Sequence, residues 1–178
     1  MTLALAKQLP DTIETDRLTL RAPNMADAPA LHHLANNKTI HKFLSSLPFP
    51  YTRAHAVDFI TSLARTKNEH TYALTTKDDD FIGVISWHLD RKPGLELGYW
   101  IGAPYWGKGY ATEAARALVH ATLKTGQHTL TARAMTKNPG SIRVLEKTGF
   151  IKKSEEIDNC GIHKGVHMSI FKWERDND

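Results

Sequence analysis

The chain has 178 residues, 41% of them apolar and 24% charged, with a formal net charge of +4, a sequence pI near 9.2 and a single cysteine. A chain of this size hides roughly 70% of the surface its unfolded form exposes, so one domain can hold a core without covalent staples. A disulfide framework is excluded because Cys160 has no partner in the chain, low net charge argues against disorder, and no apolar run approaches the ~18 residues that span a bilayer.

Residues 1–13 are expected to form an N-terminal tail. The apolar patch Leu3 to Ala6 is too short for a signal-peptide core, which makes a cytoplasmic protein with no membrane contact the expectation. Residues 14–173 are read as one domain and 174–178 as a C-terminal tail. Thr15 to Arg21 (TDRLTLR) alternates Leu18 and Leu20 against polar neighbours and predicts a strand. Asn24 is placed to cap a helix whose stripe is Leu31, Leu34 and Ala35, with Pro29 near its start. A loop over 44–52 precedes Thr52, a second cap, and the stripe Ala56, Phe59, Ile60 and Leu63. Strands follow at Thr71 to Thr76, Phe81 to Leu89 and Leu95 to Ile101, the first two joined by Lys77-Asp78-Asp79-Asp80 and the last two by a turn around Arg91-Lys92-Pro93-Gly94. In the third, Leu95, Leu97, Tyr99 and Ile101 share one face, and Glu96, Gly98 and Trp100 the other. Tyr110 to Thr125 predicts a helix with Gly126 beyond its end. Thr129 to Met135 is a strand, Ser141 to Lys147 a short helix capped by Ser141, and Ile151 to Glu156 and Val166 to Trp173 the last strands. The pattern is mixed α/β (α+β), with six to seven strands and about four helices and without the even alternation of a doubly wound fold.

The stretch Tyr105 to Glu113 (YWGKGYATE) sets Gly107 and Gly109 between a strand and a helix. Glycines there let backbone N–H groups approach an anion at the positive helix end. A Rossmann fingerprint needs a third glycine where Thr112 stands. A Walker loop fits the spacing from Gly102 to Lys108 but has Gly109 where a Ser or Thr must hold magnesium. Alone, such a loop is a glycine-rich turn capping a helix. The mild basic excess is dispersed, so a small anionic cofactor suits it better than nucleic acid.

Four separated pieces in order, TDRLTLR, ELGYWI, WGKGYATEA and NPGSIRVLEKTGF, resemble the GNAT superfamily of acyl-CoA-dependent N-acetyltransferases, and within it the ribosomal-protein (RimJ/RimL-like) branch, over roughly residues 14 to 173. The resemblance implies a twisted, mostly antiparallel sheet, splayed between the two strands that hold the cofactor. It implies that Trp106, Gly107, Lys108, Gly109, Tyr110, Ala111 and Thr112 bind the pyrophosphate of acetyl-CoA. Backbone groups of Tyr99, Trp100 and Ile101 would pair with the pantetheine amides, and Asn138 would hydrogen-bond the arm. The family often has Gln or Arg where Trp106 stands. Without the resemblance, Asn138 is an ordinary turn residue before Pro139.

Acetyl transfer to an amine needs a group that removes a proton, a donor for the developing oxyanion, and a proton for the leaving thiolate. Many GNAT enzymes place a tyrosine where this chain has Leu145. Ser141 therefore stands either as the thiolate's proton donor or as a helix cap. Glu96 is the leading base, with His88 and His167 as alternatives among ten histidines. Cys160, His163 and His167 have a spacing that metals use, but no fourth ligand is evident and no metal is expected. The expected acceptor is a protein N-terminal α-amine. A small-molecule amine and a non-catalytic acyl-CoA-binding protein are the alternatives, and a homodimer is compatible with all three.

Overall fold

Eight strands build one sheet in the computed structural model, which describes residues 6–44, 46–89, 94–159 and 163–173. They are β1 (Thr12–Glu14), β2 (Leu18–Arg21), β3 (Glu69–Thr76), β4 (Phe81–His88), β5 (Leu95–Ile101), β6 (Leu130–Met135), β7 (Phe150–Ile157) and β8 (His167–Trp173). Their spatial order is β1-β2-β3-β4-β5-β6-β8-β7, antiparallel throughout except for the parallel pair β5–β6. The helices are α1 (Ala28–Ala35), α2 (Lys38–Phe43), α3 (Arg53–Asp58), α4 (Tyr110–Leu123) and α5 (Pro139–Thr148). Among the described residues no helix is long and apolar enough to cross a membrane.

The extra strand over the expected count is β1. It has three residues and one half-buried side chain, Ile13, so no period can be read from it. Leu9 is buried in the core and the Pro10 carbonyl accepts the Tyr72 hydroxyl at 2.6 Å. The domain therefore starts before residue 14, and the expected tail over 1–13 is shortened. The extra helix is α2, capped by Asn37, whose Oδ1 accepts from Thr39 N and Ile40 N. It buries only Ile40, too little for a visible stripe. Asn24 and Thr52 cap as expected, Asn24 by way of a 3-10 turn (Met25–Asp27) that leads into α1. The cap of α5 is Asn138 and not Ser141: Asn138 Oδ1 accepts from Ser141 N at 3.1 Å. The physical reason is Pro139, whose fixed φ and missing N–H suit the first helical position and make the residue before it the cap. Residues 91–93 of the expected turn, the tail 174–178 and Cys160 lie outside the described residues.

Alternation along the strands sorts two cores. On one sheet face Leu20, Leu74, Ile85, Trp87, Leu97 and Phe171 pack with Leu118 of α4. The Trp87 indole donates to Thr122 Oγ1 at 2.8 Å, so this fully buried ring leaves no orphaned N–H. On the other face Ala73, Val84 and Phe81 meet Leu31, Ala35, Tyr51 and Ala56, with Trp100 packed alongside.

The pairing of β5 with β6 is short: Leu95↔Leu130, Glu96↔Thr131 and Leu97↔Ala132. Beyond Leu97, β5 stays with β4 through Ser86↔Gly98, Ile85↔Tyr99, Val84↔Trp100 and Gly83↔Ile101. β6 stays with β8 through Arg133↔Ile170, Ala134↔Ser169 and Met135↔Met168. The two strands thus part after the third pair, leaving facing edges whose backbone groups lack a strand partner, as the splayed arrangement requires.

Candidate functional site

The chain leaves β5 at the open end of the splay and returns through Trp106–Gly109 into α4. Gly107 (φ 75°) and Gly109 (φ 81°) hold left-handed backbone that disfavours any side chain, and a Cβ on Gly107 would meet nothing within 4 Å. Gly109 is the N-cap of α4 and supplies no side-chain cap, and the first return bond to it comes from Glu113 N. The N–H groups of Tyr110, Ala111 and Thr112 are therefore unclaimed by the helix at its positive end. This is a fit for a phosphate-bearing group held by backbone donors.

Two side chains brace the loop. Arg17, from the connection into β2, donates Nε to Glu113 Oε2 at 2.7 Å and Nη1 to the Lys108 carbonyl at 2.8 Å, and lies 4.7 Å from the Tyr110 ring centroid. Glu113 also accepts from the Thr15 hydroxyl and from Arg17 N. Burial works against the Glu113 charge, but these bonds and the Arg17 charge outweigh it and hold the carboxyl below its ordinary range. Sequence reasoning missed this brace, though TDRLTLR and YATE each carried half of it. A surface cavity of about 620 Å³ adjoins the loop, lined among others by Arg17, Thr112, Glu113, Arg116 and Lys147. Lys108 is exposed and leans over the Tyr105 ring. Trp106 is half exposed and spends its indole N–H on the Ile101 carbonyl at 2.6 Å, so that carbonyl is already engaged.

Across the splay, α5 brings Asn138 and Ser141 to Tyr99. The Tyr99 hydroxyl lies 2.9 Å from Ser141 Oγ and 3.2 Å from the Ser141 carbonyl. Burial pushes the Tyr99 hydroxyl up to about 12, against the Ser141 bond, so it stays protonated at neutral pH. The expectation for Tyr99 concerned its backbone, and the side-chain contact was not foreseen. Asn138 uses its oxygen on Ser141 N, which leaves its NH₂ group to donate. Leu145 is buried core.

Glu96 projects from the opposite face of β5, so Ser141 and Glu96 do not share one side of the sheet. Arg133 Nε lies 3.0 Å from Glu96 Oε2, an ion pair by distance whose N–H is not aligned for a hydrogen bond. Glu96 stands directly across from His88 on β4, and His88 across from Glu69 on β3. His88 Nδ1 is 3.3 Å from Glu69 Oε2. Burial opposes the Glu69 charge, but bonds from His88, Thr71 and Ser86 together with the His88 charge keep its carboxyl below the ordinary range. Of the other expected groups, His163 is buried, His167 is exposed at the start of β8 and Cys160 is not described. Among the described residues no three His, Cys, Asp or Glu side chains are placed to hold a metal.

A family model described as an acetyltransferase (GNAT) domain matches residues 17–151. An uncharacterized N-acetyltransferase, p20, from Bacillus licheniformis is 28% identical over 149 residues, covering 80% of this chain and 84% of its own. The ribosomal-protein-serine acetyltransferase of Escherichia coli strain K12 is 32% identical over 78 residues, 42% of this chain and 44% of its own. Among solved structures, RimL, a ribosomal L7/L12 α-N-protein acetyltransferase in complex with coenzyme A, superposes with a TM-score of 0.79 at 17% identity, covering 94% of this chain and 99% of that one.

Proposed function

The chain belongs to the GNAT acetyltransferase family, and we propose that it moves the acetyl group of acetyl-CoA to a protein N-terminal α-amine by direct attack in a ternary complex. The single observation that carries the cofactor assignment is the unclaimed helix start beside the splay: backbone donors of Tyr110, Ala111 and Thr112, framed by two left-handed glycines. Bound acetyl-CoA supplies an activated acyl group with a thiol leaving group. The loop Trp106, Gly107, Lys108, Gly109, Tyr110, Ala111 and Thr112 holds its pyrophosphate, and the splay-facing backbone of Tyr99, with the Ile101 N–H, pairs with its amide-bearing arm as an added strand would. Trp100, between them, turns its backbone to Val84 of β4 and is no longer expected to pair with the arm. Asn138 donates to that arm. Ser141, with the Tyr99 hydroxyl beside it, returns a proton to the thiolate. The amine arrives on the face of β5 that carries Glu96, opposite the Tyr99 face.

A protein amine is favoured by the Escherichia coli relative, whose named acceptor is a ribosomal protein serine. The test is acetyl-CoA turnover measured in parallel on peptides with free N-termini and on small amines such as polyamines, amino acids and aminoglycosides. Turnover confined to peptides is the expected outcome. Turnover confined to small amines overturns the acceptor assignment, and cofactor binding without turnover on any amine overturns the enzymatic reading.

A further inference from the structure

We propose that His88, oriented by Glu69 and seated over Gly98, is the catalytic residue that takes the proton from the acceptor amine. The inference rests on the acetyltransferase reading and deepens it. Glu69, His88 and Glu96 occupy directly opposed positions on β3, β4 and β5, so alternation sends all three side chains to one sheet face. That face carries the Glu96 side of β5 and lies beside the point where β5 leaves β6. His88 and Glu69 are both half buried, so they are shielded yet reachable.

The imidazole has a defined orientation. Nδ1 faces Glu69 Oε2 at an ion-pair distance of 3.3 Å, and an ionised, acceptor-only carboxylate there favours the tautomer with the hydrogen on Nδ1. Nε2 then holds the lone pair. It points over the β5 backbone: a Cβ built on Gly98 would lie 2.6 Å from it. Gly98 thus provides the seat, and any side chain there drives the ring away. Glu96 is the less suitable base because Arg133 already lies against it. Its charge and that of Glu69 instead favour an incoming ammonium on either side of the imidazole. The charged groups facing His88 are therefore Glu69 from β3, Glu96 from β5 and, beyond Glu96, Arg133 from β6, with Ser86 on its own strand completing the Glu69 contacts.

The step balances without a further reactant. The acceptor, arriving as an ammonium, first passes one proton to Nε2, which frees its lone pair for the new N–C bond; His88 later returns that proton to water. A second N–H bond breaks as the amide forms, and through water its proton replaces the one that the Ser141 side gives to sulfur. The C–S bond breaks and its electron pair leaves on sulfur, which takes a proton from the Ser141 side. A carboxylate holding Nδ1–H while Nε2 works as base is a recurring division of labour in acyl transfer.

The test has two parts. On the protein without acetyl-CoA, nitrogen NMR of His88 is expected to show a protonated Nδ1 and an unprotonated Nε2, and Glu69→Gln is expected to mix the tautomers. The opposite tautomer in the wild type overturns the proposal. In turnover at saturating substrates, kcat of the wild type is expected to fall at acid pH as one group protonates. His88→Ala is expected to lose that limb and to lower kcat about 10²- to 10⁴-fold, the usual worth of a positioned base, with acetyl-CoA affinity within about twofold. Gly98→Ala keeps the histidine and displaces it, and is expected to lower kcat in the same direction in a folded protein. Loss of the limb in Glu96→Gln with its retention in His88→Ala overturns the assignment and leaves the acetyltransferase reading standing. No turnover by the wild type on any amine overturns that reading and this inference with it.

Discussion

Replacing Arg17 with alanine is expected to weaken coenzyme A binding about tenfold while leaving the protein folded. The magnitude follows from what the side chain touches. Its ion pair with Glu113 joins a guanidinium side chain 48% exposed to a carboxylate 18% exposed, so water screens much of it and it is worth about 0–1 kcal/mol. The bond to the Lys108 carbonyl contributes about 1 kcal/mol at such exposure, and the contact with the Tyr110 ring about 0.5. Non-additivity brings the total to ~1–2 kcal/mol, and ~1.4 kcal/mol is tenfold in affinity. Glu113 keeps the Thr15 hydroxyl and Arg17 N as donors in the variant, so no buried charge is orphaned and the fold survives. Because Lys108 lies between the two left-handed glycines, the loss falls on the loop that presents the backbone donors. The assay is titration calorimetry with coenzyme A alongside a thermal melt. The melting temperature is expected to fall by about 2–4 °C, the usual cost of ~1 kcal/mol at this chain length. Arg17→Lys restores the charge but not the fork, and should recover only part of the affinity. An Arg17→Ala protein that melts normally and binds coenzyme A within about twofold of the wild type refutes the bracing role.

Two further outcomes concern proton handling. Ser141→Ala is expected to lower kcat about tenfold or more with little change in melting temperature, whereas Asn138→Ala loses the α5 cap and ~1 kcal/mol of stability; a stability loss in Ser141→Ala equal to that of Asn138→Ala refutes the separation of roles. His70 is 5% exposed beside Tyr72, and burial, then the Arg65 charge, against a smaller opposing pull from Asp11, lower its pKa from 6.5 to about 4. The folded value lies below the unfolded one, so the unfolded chain binds more protons between them; stability is full above 6.5 and falls as pH drops toward 4, by at most roughly 3 kcal/mol from this group. Urea unfolding across that range should show a shallower slope for His70→Gln, and an unchanged slope excludes His70 as its source.

Local rules carry far along this chain. Alternation gave the bounds of β5 and its two faces because both faces are packed, Leu97 into one core and Trp100 against the other. The α4 stripe was readable for the same reason, with Ala114, Ala115, Leu118 and Val119 all buried. Pro139 marks the residue before it as the cap of α5, while Ser141, a residue type that often caps, sits inside the first turn. What local rules do not carry is pairing between distant segments. β1 has a single half-buried side chain, Ile13, and owes its place to partners at Thr19 to Arg21, which no period reveals.

The same limit explains the site. Its glycines announced themselves because a left-handed φ is a local demand, and so the phosphate loop was legible. The Arg17 brace was not, since its two halves are 96 residues apart. The choice of base turns on this distinction. Glu96 drew attention through its own strand, where it stands two residues from Gly98. Its partner Arg133 enters from β6 and its neighbour His88 from β4, through registers that only the assembled sheet defines. Gly98 reads in sequence as a weak point in a strand. In the sheet it is the clearance under an imidazole, and that contact moves the assignment of proton acceptor from the carboxylate to the histidine.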